Sequence, residues 1–252
     1  MSSHTIAHWL EERGLLLCAF RWNELPEAVS ELIENATPDI APTEFTHSTR
    51  LLLLANAGPK FWRNLQGSSF KGHRDPVDTF SVELAAEFQR QFLNTDRFIQ
   101  LYPTPKGQSH IPLMRLGGLA GWNTPSPLGL GLHPQYGPWS AYRVAWLTNT
   151  EQLPKAFYKE PQAFKTTGLT DISDLAHSAE LCASCAAPCV TACPANAVAY
   201  GENFKIEPCY EHSQPESSEC HNHCFARTAC PIGAEYRYDD DQLAHHMMMR
   251  WR

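Results

Sequence analysis

The 252-residue sequence has no long hydrophobic run. Its longest apolar stretches, Leu15 to Phe20 and Leu51 to Ala55, fall far short of the roughly 18 residues a membrane helix needs. A charged leader followed by an apolar segment is missing, as are internal repeats and low-complexity tracts. Charged residues make up only 19% against 43% hydrophobic, which excludes a wholly disordered chain. The length also excludes a miniature disulfide-stapled fold. The expectation is a cytoplasmic protein with one or two cored domains and no membrane association. An excess of positive charge is lacking too: the net charge is −7, which disfavours a general nucleic-acid coat. Residues 151 to 252 carry most of that deficit, with 8 Lys+Arg against 14 Asp+Glu, whereas residues 50 to 115 hold nine bases and five acids.

Cysteine is what the sequence has in plenty, and it is concentrated. Eight of the nine lie between Cys182 and Cys230; Cys18 stands alone in an apolar run and reads as a core residue. The first group is Cys182-x2-Cys185-x3-Cys189-x3-Cys193-Pro194 and the second Cys209-x10-Cys220-x3-Cys224-x5-Cys230-Pro231. Two sets of four, each ending in Cys-Pro, follow the two-cluster ferredoxin arrangement, in which the fourth Cys of each run serves the other cluster. On that logic Cys182, Cys185, Cys189 and Cys230 hold one 4Fe-4S cluster, and Cys193, Cys209, Cys220 and Cys224 the second. Two four-thiolate zinc sites satisfy the same count. A helical Cys stripe is interrupted by Pro188 and Pro194, and disulfides suit the compartment least. The first run has three residues, Ala186-Ala187-Pro188, where two are usual, which leaves the partition of ligands open. His221 and His223 are alternative ligands or exposed spacers.

The N-terminal part reads as α+β, an α/β sandwich. Ile6, Trp9 and Leu10 share a helical face closed by Gly14, and Leu15 to Phe20 is strand-like. Pro26 opens a short helix, and Leu51 to Ala57 reads as a buried strand. Asp75 occupies an N-cap position and Pro76 the first turn of a helix facing inward through Val77, Phe80, Leu84, Phe88 and Phe92. Arg97 to Tyr102 and Ala141 to Leu147 are further strands, the former stopped by Pro103 and Pro105. Glu151 to Glu180 is linker-like, and Asp239 to Arg252, with His245, His246 and three Met, reads as a terminal helix. Domains of 1–178 and 179–252 follow. Between Gly117 and Trp139 six Gly and four Pro surround Trp122, Tyr136 and Trp139; glycines allow a flat ligand close to the backbone and aromatics wall it. The alternative is a surface connection.

The run His133-Pro134-Gln135-Tyr136-Gly137-Pro138-Trp139, continued by Ala141 and Arg143, resembles a signature of CblC-type cobalamin-processing proteins, and Asp75-Pro76-Val77-Asp78 matches a second motif of that family. The resemblance spans roughly residues 45 to 155. It implies a nitroreductase/flavin-reductase-like fold, fused here to a ferredoxin-like module. It also implies cobalamin bound with its lower base detached, near Trp122, His133, Tyr136, Gly137, Trp139 and Arg143. His133 is alternatively a hydrogen-bonding loop residue, Arg143 an internal ion-pair partner, and Asp75 and Asp78 helix-capping groups. Leu119-Ala120-Gly121-Trp122 and the cysteine module are similar to epoxyqueuosine reductase, which pairs a corrinoid with two 4Fe-4S clusters. Where that family carries a catalytic Asp, this chain has Leu101-Tyr102-Pro103-Thr104-Pro105. The combined expectation is an oxidoreductase passing electrons from flavodoxin, ferredoxin or a reductase through two clusters to cobalt. The alternatives are a tRNA-modifying enzyme, a cobalamin carrier without turnover, a plain ferredoxin, or FMN in place of the corrinoid.

Overall fold

The computed structural model describes residues 2–104, 110–159 and 180–249. Pro105, most of the 151–180 passage and the last three residues of the tail lie outside them. The chain forms two compact units, one from Met1–Ala120 and Ala141–Phe164 and the other from Gly121–Ser140 and Lys165–Arg252. This grouping joins the glycine-rich loop to the cysteine segment, so it cuts the chain differently from a single boundary after residue 178. Among the described residues no helix is long and apolar enough to cross a membrane.

The first unit is mixed α and β. Helix α1 (Ser3–Arg13) starts where Ser2 Oγ accepts from the Thr5 N–H, and ends at Gly14 with φ 64, a left-handed cap. Strand β1 (Leu15–Arg21) then pairs antiparallel with β2 (Arg50–Ala57), Cys18 opposite Leu53. Helix α2 (Glu27–Ala36) follows Pro26 between them. After β2 come α3 (Lys60–Gln66) and α4 (Pro76–Phe88), then β3 (Ile99–Tyr102), α5 (Leu113–Leu119) and β4 (Ser140–Thr148). The sheet order is β1-β2-β4-β3, with β3 and β4 antiparallel.

Every residue of β2 is buried, so both faces of the sheet are covered, and Cys18 is a fully buried core thiol that burial pushes far above the usual range. One face packs Leu15, Leu52, Leu54 and Trp146 against Trp9, Phe61, Phe80 and Phe88. Each such side chain contributes roughly 1.5–3 kcal/mol. Helix α4 passes into a π segment, Gln89–Leu93, at a buried Gln89. Its amide donates to Thr95 O, Arg97 O and Thr148 Oγ1 and accepts from Trp146 Nε1, so this polar group is satisfied inside the core.

The second unit consists of short helices and loops: α6 (Glu180–Ala183), α7 (Pro188–Thr191), α8 (Ile206–Ser213), α9 (Phe225–Ala229) and α10 (Asp240–Met249). Its only β features among the described residues are single bridges, Thr124 to Leu132 and His133 to Gly137. Trp139, Tyr238, Leu243 and Met247 form one core cluster; a second gathers Leu128, Leu132, Val198 and Ala226 with Cys189 and Cys230.

Candidate iron-sulfur centres

All nine cysteines are free thiols. Helix α6 carries Cys182, and the Cys185 N–H bonds back to its carbonyl, closing a tight turn. The extra residue of the first run is taken up at Ala187, which turns left-handed with φ 51 ahead of Pro188 at the first position of α7. A non-glycine residue there costs roughly 1–2 kcal/mol. The turn brings Cys189 back beside Cys182 and Cys185. Cys230, at the end of α9, completes a set of four around a cavity of about 350 Å³, part of it open to solvent. The remaining wall is mainly apolar, including Leu128, Leu132 and Ile232.

A second cavity, about 860 Å³ and also partly open, is lined by Cys193, Cys209, Cys220 and Cys224. Cys209 stands on α8 and Cys224 caps α9, while Cys193 comes from the first run and accepts the Ala197 N–H at 3.4 Å. Charge interactions follow the same grouping. Burial, then Cys230, Cys185 and Cys189, push Cys182 up to about 11. Burial, then Cys224, Glu219, Cys193 and Cys209, push Cys220 up to about 11. Cys189 and Cys230 are raised, first by burial, and backbone N–H groups pull in the opposite direction at both. Such thiols are protonated at neutral pH when free, so binding a cation must release protons.

Among the described residues no three His, Cys, Asp or Glu side chains converge as around a single ion. A four-iron cluster makes a different demand, because each thiolate binds its own iron and the four sulfurs surround a space. Soft donors in fours around a cavity, with amide hydrogens directed at sulfur, fit that group.

The glycine-rich loop serves a use that its composition does not disclose. A Cβ on Gly129 would stand 2.8 Å from the Phe204 side chain, and one on Gly137 would fall on the Ile232 carbonyl oxygen. These glycines make room for the cysteine segment of the same unit. Gly121, with φ 72, has open space instead. Trp139 is buried against Tyr238, and the Arg227 guanidinium lies 4.9 Å from its ring centroid. Trp122, His133 and Tyr136 form a run of rings at 6.1 and 4.9 Å. His133 Nδ1 accepts from the Gln135 and Tyr136 N–H groups at 3.1 and 3.3 Å, so the neutral ring carries its proton on Nε2.

Arg143 belongs to the other unit, on β4, where Nε donates to Asn56 Oδ1 at 2.6 Å and the guanidinium faces Phe61. Asp78, at the start of α4, has its carboxyl raised, chiefly by burial, with Arg143 pulling it down and Asp75 pushing it up. Asp75 holds the N-cap position without a side-chain cap bond; its backbone carbonyl accepts from Thr79 Oγ1 instead. His223 lines the second cavity and its Nε2 pairs with Thr228 Oγ1 at 3.1 Å, whereas His221 lines neither cavity. His212 also stands in the second cavity wall, and its place three residues after Cys209 is the one sequence signal for it.

No protein-family model matches the chain, and no curated protein does. Among solved structures it is similar to the C. elegans B12-trafficking protein CblC, a human MMACHC homologue, at 15% identity and a TM-score of 0.44, over 99% of this chain and 96% of that one. It is also similar to epoxyqueuosine reductase from Streptococcus thermophilus, at 11% identity and a TM-score of 0.44, over 96% and 69%.

Proposed function

We propose that this chain is an iron-sulfur oxidoreductase that delivers single electrons to the cobalt of cobalamin, reducing it or freeing its upper ligand. Cys182, Cys185, Cys189 and Cys230 would hold one 4Fe-4S cluster, and Cys193, Cys209, Cys220 and Cys224 the other. The observation that carries this reading is the division of eight thiols into two fours, each around its own cavity. When bound, such clusters supply one-electron transfer at low potential. The protein orients the thiols, offsets their charge with amide hydrogens and keeps the first cavity walled by apolar side chains. The electrons come from a low-potential donor of the flavodoxin, ferredoxin or reductase class.

Cobalamin as the acceptor rests on the resemblance of residues 133–143 to the CblC signature. His133 accepts two backbone N–H groups at Nδ1 and carries its proton on Nε2, so neither nitrogen of the neutral ring has a lone pair left for cobalt. Iron and sulfide analysis of reconstituted protein should give about eight iron per chain. Addition of cobalamin should give the base-off spectrum, and reductant should then yield cob(I)alamin. An unchanged cobalamin spectrum at saturating protein would remove the acceptor and leave an electron carrier.

The raised carboxyl of Asp78 supports a second reading, an epoxyqueuosine-reductase-like tRNA enzyme. Its charge acts on Tyr102, at the place where that family's proton donor is missing from this sequence. Absence of tRNA binding in a series extending to low salt would eliminate it.

A further inference from the structure

The two thiol cavities differ in what else lines them. Beside its four cysteines the first has Ser126, Tyr200 and apolar groups, whereas the second adds His212, His223, His246 and Arg227. Three of those four polar side chains have interactions elsewhere. His223 Nε2 pairs with Thr228 Oγ1, Arg227 donates to the Pro138 carbonyl, and the His246 ring stands 5.5 Å from those of Tyr238 and His245. His212 has no such interaction among the described residues: its Nε2, like that of His246, is shut off from solvent, and no hydrogen-bond partner or ring contact offsets the burial. Burying an imidazole nitrogen without a partner costs free energy, so it calls for a bonding group that the protein's own side chains do not supply.

Helix α8 explains how the ring comes to be there. Cys209 and His212 are three residues apart on it, which puts both on one face, and both line the same cavity. Four thiolates already satisfy four irons, leaving none for an imidazole. A protonated ring nitrogen facing sulfur is a hydrogen-bond donor. We propose, on the basis of the cluster assignment above, that His212 Nε2–H donates to a sulfur of the cluster held by Cys193, Cys209, Cys220 and Cys224. This donor makes that cluster easier to reduce. Reduction adds one electron and hence negative charge to the cluster, and a donor at sulfur stabilises the more negative state more strongly. His212 is thus a positioning residue for the electron, and it acts on one of the two centres only.

The test is a potentiometric titration of the reconstituted, full-length protein followed by electron paramagnetic resonance. In His212→Phe one of the two reduction steps should move to lower potential by about tenfold in its equilibrium, ~59 mV for one electron. The other should stay in place, and His212→Gln, which keeps an N–H donor, should recover part of the shift. Two unmoved steps in an iron-replete His212→Phe protein, or two steps shifting together, would overturn the assignment. Should His212→Phe fail to load iron, wild-type protein carrying 15N-histidine decides the matter. A weak nitrogen hyperfine coupling to the reduced cluster supports the hydrogen bond; none, or the strong coupling of an iron-bound nitrogen, refutes it. Wild-type protein that binds eight iron per chain but shows no coupling loses this inference alone, whereas one that binds no cluster loses the cluster assignment with it.

Discussion

Gly137 and Ile232 meet backbone against backbone, 95 residues apart in sequence, with no room for a Cβ between them. Gly137 also has φ 55, so a side chain there is both strained and obstructed. Gly137→Ala should cost roughly 1–2 kcal/mol for the left-handed backbone and roughly 1–3 more for the overlap. Gly121→Ala, at φ 72 but with nothing within 4 Å, should cost only the first part. Urea unfolding of the two variants checks the difference, and equal losses would mean that the approach to Ile232 relaxes freely.

That pair also shows where a sequence stops being readable. Ser2, Gly14 and Pro76 announce helix ends because caps are decided by neighbours in the chain. The β2 run is legible because uninterrupted burial needs uninterrupted apolar residues. Helices α3 and α5, at seven residues each, are too short to show a period. A glycine, by contrast, says only that something comes close. For Gly129 and Gly137 that something is Phe204 and Ile232 of the same unit, where the composition suggested a flat ligand. The cysteines announce themselves as a set by type and spacing, whereas a ligand partition depends on where Ala187 turns, which its identity does not reveal.

Paired substitutions distinguish one partition of the thiols from another. If Cys230 belongs with Cys185, the double variant Cys185→Ser/Cys230→Ser damages one centre, and iron should fall from about eight to about four per chain. Cys185→Ser/Cys193→Ser damages both, and iron should fall below four. Cys18→Ala, in the core of the other unit, should leave iron unchanged. Iron analysis after anaerobic reconstitution reads all three, and similar losses in the two double variants would contradict the partition.

Arg227 fastens the loop to the rest of its unit. It donates from Nε and Nη2 to the Pro138 carbonyl at 3.1 and 2.5 Å and lies within 5 Å of the Trp139 and Tyr238 ring centroids. Arg227→Met should cost about 2–4 kcal/mol, combining a charged hydrogen bond with two cation–π contacts. Arg227→Lys should recover only part, because an ammonium cannot supply the planar fork. The midpoint and slope of urea unfolding measure both.

Asp78 makes the stability of the first unit depend on pH in an unusual direction for a carboxylate. Burial holds its carboxyl above the usual 3.8, outweighing the pull of Arg143. The folded state therefore keeps this proton to higher pH than the unfolded state does. Between 3.8 and the raised value the folded form binds more protons, so the free energy of unfolding falls as pH rises, and the loss persists above that window. Asp78→Asn has no charge to desolvate and should escape it. Relative to wild type, the variant should show no gain in thermal midpoint at pH 3 and a growing gain as pH rises above 3.8. A variant less stable than wild type at pH 7 but equal to it at pH 3 would reverse the sign, and would mean that attraction to Arg143 outweighs burial at this carboxyl.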